Sequence, residues 1–265
     1  MNVILFSSDS IRIFKDSPSC RRKYFNIQIS QINKIYLANL NNYNLVLRQR
    51  NEFLKIININ KESDMNYLDI LNDKYIGLSI VIYNFRRKYV DLVNKYIDDI
   101  FSSITGLEGL KMIYTSNVSN LDKDMFKDKL KSNLSREIQY KITFIGPNRD
   151  DFYFDLNGKN LSLYGSNGQI RSAVLALKLA EVKLFTDVLS DTPILLLDDI
   201  FSELDIDKRN KVIKYLDNDI QTIVTTTDIE NIDKNVRNKA NVYKIENGKI
   251  ISREIIWCRK VIKNE

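Results

Sequence analysis

The stretch PILLLDDIFSELD, Pro193 to Asp205, indicates the fold class of this 265-residue chain. Its aliphatic residues 194–197 lie between a proline and charged residues, which is typical of a strand covered on both faces of an α/β sheet. Asp198 and Asp199 then stand at the carboxyl end of that strand, where open α/β sheets bind ligands. One carboxylate there can hold Mg²⁺ and its neighbour can activate water, which indicates nucleotide hydrolysis. An isolated acid pair more often forms a solvated turn or a helix cap, so the surrounding sequence must decide.

The composition excludes several kinds of site. The chain contains no histidine, which excludes Ser-His-Asp and Cys-His nucleophilic sites and histidine metal sites. Cys20 and Cys258 lack the spacing of a zinc site and are expected to be ordinary buried thiols. The net charge of +6 favours polyanionic partners, although a proteome-wide bias toward lysine has the same effect. Without a bilayer-length apolar stretch or a signal-peptide pattern, a cytoplasmic location is expected.

The first half of the chain has the pattern of long helices. NVILF at 2–6 predicts a strand, and Ser17-Pro18 predicts the start of a helix that carries paired arginines. Apolar residues then recur at helical spacing from Gln28 to about Ile57 and from about Asp64 to Ser103. The short link between these two segments predicts an antiparallel helical hairpin, and plain intramolecular packing is the favoured explanation of its apolar stripe.

The second half mixes strands and helices. The patterns predict strands at 110–116, 141–146, 152–156, 161–165, 194–197 and 222–227, helices at 122–139, 169–189 and 207–216, and hairpin turns at the two Asn-Gly pairs, 157–158 and 247–248. Tyr164 to Glu181, YGSNGQIRSAVLALKLAE, is a polar loop that opens into a helix, and such a start favours phosphate. Alone it would more often be only a well-capped helix. With the acidic strand and the hydroxyl-tipped strand QTIVTTTD at 221–228, it forms an ordered set.

That set resembles the signature motif, Walker B strand, D-loop and switch region of ABC-type ATPases. More closely, it resembles the RecF family of bacterial DNA replication and repair proteins, as do GPNRDDFYFDLNGK from Gly146 and the segment 16–55. The resemblance implies an α/β fold, namely the C-terminal part of an ABC-type ATPase head with an inserted domain of long antiparallel helices. The expected parts are a residual strand at 1–15, a helical domain at 16–135 and an ATPase lobe at 136–265.

The resemblance also implies site residues, with ATP and Mg²⁺ as cofactors. Asp198 would be the Walker B acid near Mg²⁺, and Asp199 the catalytic carboxylate. The ATP-binding residues implied in the signature, D-loop and switch are Ser166, Gly168, Gln169, Arg171, Ser202, Asp205 and Thr227. Ser166 and Gly168 would contact the γ-phosphate of a nucleotide held by a second subunit. Candidate DNA contacts are the basic runs Arg21, Arg22, Lys23 and Arg86, Arg87, Lys88, which equally fit solvated faces or partners of neighbouring acids.

Proteins of this family are implied to form ATP-dependent homodimers that bind single-stranded, double-stranded and gapped DNA, away from membranes. With RecO and RecR they would act in recombinational gap repair and the SOS response. The main departure is that no GxxxxGK[ST] loop occurs in the sequence, and Asn148 and Asn167 replace residues of the family pattern. We therefore expect a fragment or split form that by itself binds ATP weakly or not at all and hydrolyses none. The alternatives are a non-catalytic DNA- or RecR-binding module and the product of a broken reading frame.

Overall fold

A computed structural model describes residues 3–58, 61–119, 122–189, 192–199 and 220–227, together with 208, 211–212, 229, 237–238 and 240–254. The helices are α1 Arg12–Lys15, α2 Pro18–Ile32, α3 Lys34–Phe53, α4 Glu62–Asn94, α5 Ile97–Thr105, α6 Lys123–Tyr140, α7 Leu161–Tyr164 and α8 Asn167–Leu189. The strands are β1 Val3–Phe6, β2 Leu110–Thr115, β3 Asp151–Leu156, β4 Lys159–Asn160, β5 Ile194–Asp198, β6 Thr222–Thr225, β7 Val242–Glu246 and β8 Lys249–Glu254. Within these ranges, no helix combines the length and apolar character needed to cross a bilayer.

The acidic strand β5 is the middle strand of a parallel sheet, with β1 on one side and β6 on the other. Leu195 and Leu197 of β5 are buried, as are Ile4 and Phe6 of β1, so one face of this sheet lies on the core. Helix α8 packs against β1 and α5. The predicted strand and its place in an α/β sheet are confirmed, and the acid pair stands at the carboxyl edge. The expected cover on both faces is wrong, because Leu5 and Ile223 of the flanking strands are about half exposed.

A second sheet ties the helical region to the rest of the chain. Strand β2 pairs antiparallel with β3, placing Leu110 opposite Leu156, and β3 continues through a two-residue turn into β4. Phe152 and Phe154 of β3 are buried in the same core as α8. A strand of the expected helical domain therefore pairs with a strand of the expected ATPase lobe, and the boundary at 135–136 stays a prediction.

The two long helices predicted for the first half are each divided. Asn33 has an extended backbone and accepts a hydrogen bond from the Tyr36 amide at 2.9 Å, so it caps α3 and separates it from α2. Helix α4 ends at Asn94, and α5 begins at Ile97. Helices α3 and α4 run antiparallel, as predicted. Tyr43 of α3 contacts Tyr75 of α4, and Arg50, further along α3, contacts Asn72, which comes earlier in α4.

Two of the predicted strands are wrong. Residues 141–146 are irregular because their backbone amides donate to side chains and not to a neighbouring strand. Phe144 N donates to Glu137 Oε1 at 2.7 Å, and Thr143 N donates to Asn51 Oδ1 at 2.9 Å. Residues 161–164 form the short helix α7, which Asn160 caps by accepting from Ser162 N at 2.9 Å. In both places a polar side chain offers the backbone an alternative to a sheet.

The expectation of buried thiols is also wrong for Cys20. This side chain is exposed in the first turn of α2, where the Ser17 hydroxyl donates to its sulfur at 3.6 Å. Residues 17–20, where the helix begins, are all exposed. Cys258 lies outside the described residues.

A buried pair of phenols makes the fold sensitive to alkali. The Tyr43 and Tyr75 hydroxyls lie 3.2 Å apart, and burial raises the pKa of Tyr43 from 10 to about 12. The unfolded chain therefore loses this proton at lower pH than the folded chain, so stability falls as pH rises from 10 toward 12. We expect Tyr43 to contribute about 3 kcal/mol of that fall. Urea unfolding across this range should be less pH-dependent in Tyr43→Phe and unchanged in Tyr140→Phe, whose phenol is exposed.

Candidate nucleotide site and its supporting joint

The carboxyl end of β5 forms a small, fixed polar cluster. Asp198 lies in register with Thr225 of β6, and the Thr225 hydroxyl donates to Asp198 Oδ1 at 2.6 Å. The Asp199 amide donates to the Thr225 hydroxyl at 3.1 Å and to its carbonyl at 3.2 Å. Both carboxylates are exposed. One hydroxyl thus orients Asp198 and also holds the backbone of Asp199.

Asp199 leaves the strand with a left-handed backbone, φ +51°. Aspartate tolerates this region better than most residues, but the conformation still carries a cost and is concentrated at functional sites. In a continuing strand the two adjacent carboxylates would point to opposite faces of the sheet, and the left-handed backbone at Asp199 ends that alternation.

The acid pair fits Mg²⁺ that arrives with a nucleotide. Mg²⁺ keeps several waters and is usually held by one or two carboxylates together with substrate phosphates. Asp198 can supply one such carboxylate oxygen at the edge where open sheets bind ligands. Across the described parts of the chain, no group of three or more His, Cys, Asp or Glu is placed to hold a metal ion. The residues therefore suit a metal–nucleotide complex better than a metal site made by this chain alone.

The loop before α8 is a preformed helix start. The Ser166 hydroxyl accepts from Gln169 N at 3.2 Å while Gln169 Oε1 accepts from Ser166 N at 2.9 Å, which is a reciprocal capping box. Lys15 Nζ donates to Asn167 Oδ1 at 3.1 Å, and Gly168 is exposed. Arg171 lies one turn further along α8 and is partly exposed. The loop is capped, and its residues 166–168 are exposed, as a phosphate contact at a helix start requires.

Of the other three implied nucleotide residues, only Thr227 lies within the described part of the chain. Thr227 follows β6 and is exposed, two residues beyond the hydroxyl that contacts Asp198. Ser202 and Asp205 of the implied D-loop, with most of the helix predicted at 207–216, lie outside the described residues. The sequence interpretation missed Thr225, although the run TTT in the strand beside β5 was the signal for it.

The structure separates the six basic candidates for DNA contact. Arg86 is 2% exposed and its Nη1 donates to Asp150 Oδ2 at 2.7 Å, so this guanidinium lies in the interior and is not a surface contact. Arg21 makes two hydrogen bonds of 2.7 Å to the Asp151 carboxylate. Arg22 donates to the Asp150 carbonyl at 2.8 Å. Lys23, Arg87 and Lys88 are exposed.

The motif GPNRDD at 146–151 is where the helices meet the second sheet. Arg86 also donates to the Pro147 carbonyl at 2.8 Å, and the Tyr114 hydroxyl donates to Asp150. Asn148, one of the two asparagines that depart from the family pattern, accepts from the Tyr75 hydroxyl at 3.0 Å and donates to the Thr143 carbonyl at 2.8 Å. Asn148 is therefore a structural link between α4 and the irregular segment 141–146.

Helix α8, which begins at the capped loop, is linked to the helical region by a buried carboxylate. Glu181 accepts from the Tyr24 hydroxyl at 2.7 and 2.8 Å and from the Tyr89 hydroxyl at 3.0 Å. Lys178 lies 3.8 Å away on the same helix. Burial raises the pKa of the Glu181 carboxyl, and Lys178 and the hydroxyls of Tyr24 and Tyr89 oppose that rise. Helices α2, α4 and α8 thus meet at one polar contact.

The parallel sheet with its acidic edge, the capped loop and the buried helix α8 define the class of protein. They form the C-terminal part of an ABC-type ATPase head with a helical insertion. This assignment agrees with relatives of known name. A DNA replication and repair protein RecF from Lachnospira eligens is 39% identical over 254 residues, 95% of this chain and 69% of that protein. One from Lactobacillus johnsonii is 37% identical over 263 residues, 96% and 70% of the two chains.

Solved structures agree as well. The recombination mediator protein RecF with ATPrS, from the RecFOR pathway, matches with a TM-score of 0.80 and 30% identity over 94% of this chain and 67% of that one. RecF with ATP matches with a TM-score of 0.76, 32% identity, and 86% and 62% coverage. No family model matches the chain. The chain belongs to the RecF family and spans about two thirds of the length of these relatives.

Proposed function

We propose that this chain carries the signature and Walker B part of a RecF-type ATPase whose nucleotide controls DNA binding. The observation that carries the proposal is the acid pair at the end of β5, where the Thr225 hydroxyl donates to the Asp198 carboxylate and accepts from the Asp199 amide. The resemblance of this edge to a Walker B strand and the ATP and ATPrS named for the solved RecF structures support it.

The residues divide the work by position. Asp198 would hold the Mg²⁺ that a bound nucleotide carries, and that ion would neutralise charge on the phosphates. Asp199 would orient the attacking water and accept its proton. Ser166 and the helix start behind it would donate to the γ-phosphate of a nucleotide held by a second subunit. Gly168, Gln169, Arg171, Ser202, Asp205 and Thr227 are the further nucleotide contacts that the family resemblance implies.

The phosphate loop must come from elsewhere, because no GxxxxGK[ST] occurs in these 265 residues. We propose that a P-loop segment of the kind expected in the family completes the site. Without such a segment the chain would bind ATP weakly or not at all and would hydrolyse none.

The proposed biological role is recombinational gap repair and the SOS response in the cytoplasm. An ATP-dependent homodimer would bind single-stranded, double-stranded or gapped DNA and act with RecO and RecR. The net charge of +6 and the exposed cations Lys23, Arg87 and Lys88 favour a polyanionic partner.

The DNA contact predicts a change in salt dependence. Each phosphate contact that is lost should weaken binding and make the slope of log affinity against log salt shallower by about 0.9 on duplex DNA. We expect this change for Lys23→Ala and a larger one for Arg87→Ala with Lys88→Ala. Fluorescence anisotropy over a salt series measures it. Lys111→Ala, an exposed lysine on β2, is the matched control, and equal slopes in all variants would remove these positions from the DNA surface.

A further inference from the structure

An open groove of about 610 Å³ runs between helices α2 and α3, with Pro147 and Asn148 at its floor. Its α2 wall extends from Ser19 to Gln31, which corresponds to about 18 Å of helix. Its volume lies within the range of protein ligand sites. None of the nucleotide or Mg²⁺ residues described above lines this groove.

The α2 wall is cationic, and the lining contains no carboxylate. The neighbouring acids are already engaged, since Asp151 pairs with Arg21 and Asp150 pairs with Arg86. In the ranges that the structure describes, no ion pair joins Arg22 or Lys23 to an acid. Burial and then the charge of Arg86 lower the pKa of the Arg22 guanidinium, and the carboxylates of Asp150 and Asp151 oppose that change. The groove is therefore electrostatically complementary to an acidic ligand.

The α3 wall is apolar and has helical periodicity. Leu37, Leu40, Asn44 and Leu47 line it at intervals of three, four and three residues, the spacing by which one helix receives the side chains of another. Leu37 is 42% exposed, and Ile27 of the facing wall is 48% exposed. These side chains offer apolar surface that a partner helix would bury.

We propose that this groove binds an acidic amphipathic helix of a partner protein, which packs its apolar stripe on α3 and aligns its carboxylates with Arg22 and Lys23. The groove would thus use the helix-in-groove mode of peptide recognition. Single-stranded nucleic acid fits less well, because base stacking needs an accessible ring and the aromatic residue of the groove, Tyr43, is 2% exposed. Two other occupants fit less well because they are themselves basic. A second copy of this chain would bring a net charge of +6 to a cationic wall, and the chain's own residues 255–265 carry three cations against one acidic side chain.

Peptide binding to the purified chain tests the proposal. The probe is a fluorescein-labelled helical peptide with leucines three and four residues apart on one face and glutamates beside them. Fluorescence anisotropy should show saturable binding that is weakened about tenfold or more by Leu37→Asp and by Lys23→Glu. The matched controls on α4, Ile70→Asp and Lys74→Glu, change an exposed apolar residue and an exposed cation and should leave the affinity unchanged. Ile27→Asp replaces Leu37→Asp if circular dichroism shows that the latter fails to fold.

Two control ligands make the outcome decisive. A peptide of the same composition with its leucines scattered, and one with lysine for glutamate, should both bind at least about tenfold more weakly than the probe. Equal binding of either one, or equal loss in the α4 controls, would overturn the proposal. A competition with single-stranded oligothymidylate gives a further contradicting result. The proposal would be overturned if the oligonucleotide displaced the peptide, and if Lys23→Glu weakened the binding of both ligands while Leu37→Asp weakened neither. The surface would then recognise charge alone.

Discussion

Arg86→Ala is expected to lower the free energy of unfolding by about 3–5 kcal/mol, the usual cost of breaking a buried ion pair. The Arg86 and Asp150 side chains are 2% and 0% exposed and lie 2.7 Å apart. Removing the guanidinium leaves the Asp150 carboxylate buried without its cation and leaves the Pro147 carbonyl without its donor. The same change also opens a cavity beside Phe152, over whose ring the guanidinium lies.

The neighbouring Arg87 supplies the control, because it is exposed on the same helix and carries the same charge. Arg87→Ala should change stability by no more than about 0.5 kcal/mol. Urea unfolding followed by circular dichroism measures both variants. A loss of less than about 1 kcal/mol in Arg86→Ala would show that the Arg86–Asp150 ion pair contributes little to the free energy of unfolding, although both side chains are buried.

Asp199→Asn is expected to lower ATP hydrolysis by about 100- to 10,000-fold, the usual contribution of a positioned general base. The assay needs the chain assembled with a P-loop segment, for example the corresponding part of the Lachnospira eligens relative. Asparagine keeps the size of the side chain and its left-handed backbone but cannot accept a proton at neutral pH. Nucleotide affinity should change little, because Asp198 and not Asp199 is proposed to meet the metal.

Two variants separate this role from a structural one. Thr225→Val should lower hydrolysis less than Asp199→Asn, because it removes the hydroxyl that orients Asp198 and keeps both carboxylates. Asp187→Asn changes an exposed acid on α8 and should leave the rate unchanged. If Asp199→Asn retained the full rate while Asp198→Asn abolished it, the assignment of the general base to Asp199 would be wrong.

The sequence predicted β5 and the start of α8, which it placed at about Gln169 and the structure has at Asn167, because both signals are local. An aliphatic run that ends in charge specifies a buried strand, and a polar loop before a periodic segment specifies a helix start. The reciprocal bonds of Ser166 and Gln169 were also within reach, since serine with glutamine three residues later is a capping-box pattern. The roles of these residues with nucleotide remain predictions.

What the sequence did not reveal depends on contacts between distant residues. Helical spacing sets Arg86 apart from Arg87, because Arg86 lies on the stripe of Ile82 and Tyr89, but it does not reveal the partner Asp150, which lies 64 positions away. The strand predicted at 141–146 does not form, because backbone amides of this segment donate to the side chains of Asn51 and Glu137. The local sequence pattern does not indicate these hydrogen bonds. Thr225 became recognisable once the pairing of β6 with β5 placed it opposite Asp198.

The most direct test of the central claim is ATP binding by the purified chain, measured with a fluorescent nucleotide and Mg²⁺, with and without the P-loop segment. The account predicts no saturable binding by the chain alone, and micromolar binding by the complex that Asp198→Ala weakens. Gel filtration confirms that the complex has formed before nucleotide is added. Micromolar binding by the chain alone, or binding by the assembled complex that is insensitive to Asp198→Ala, would contradict the proposal that this chain supplies the Walker B part of a shared site.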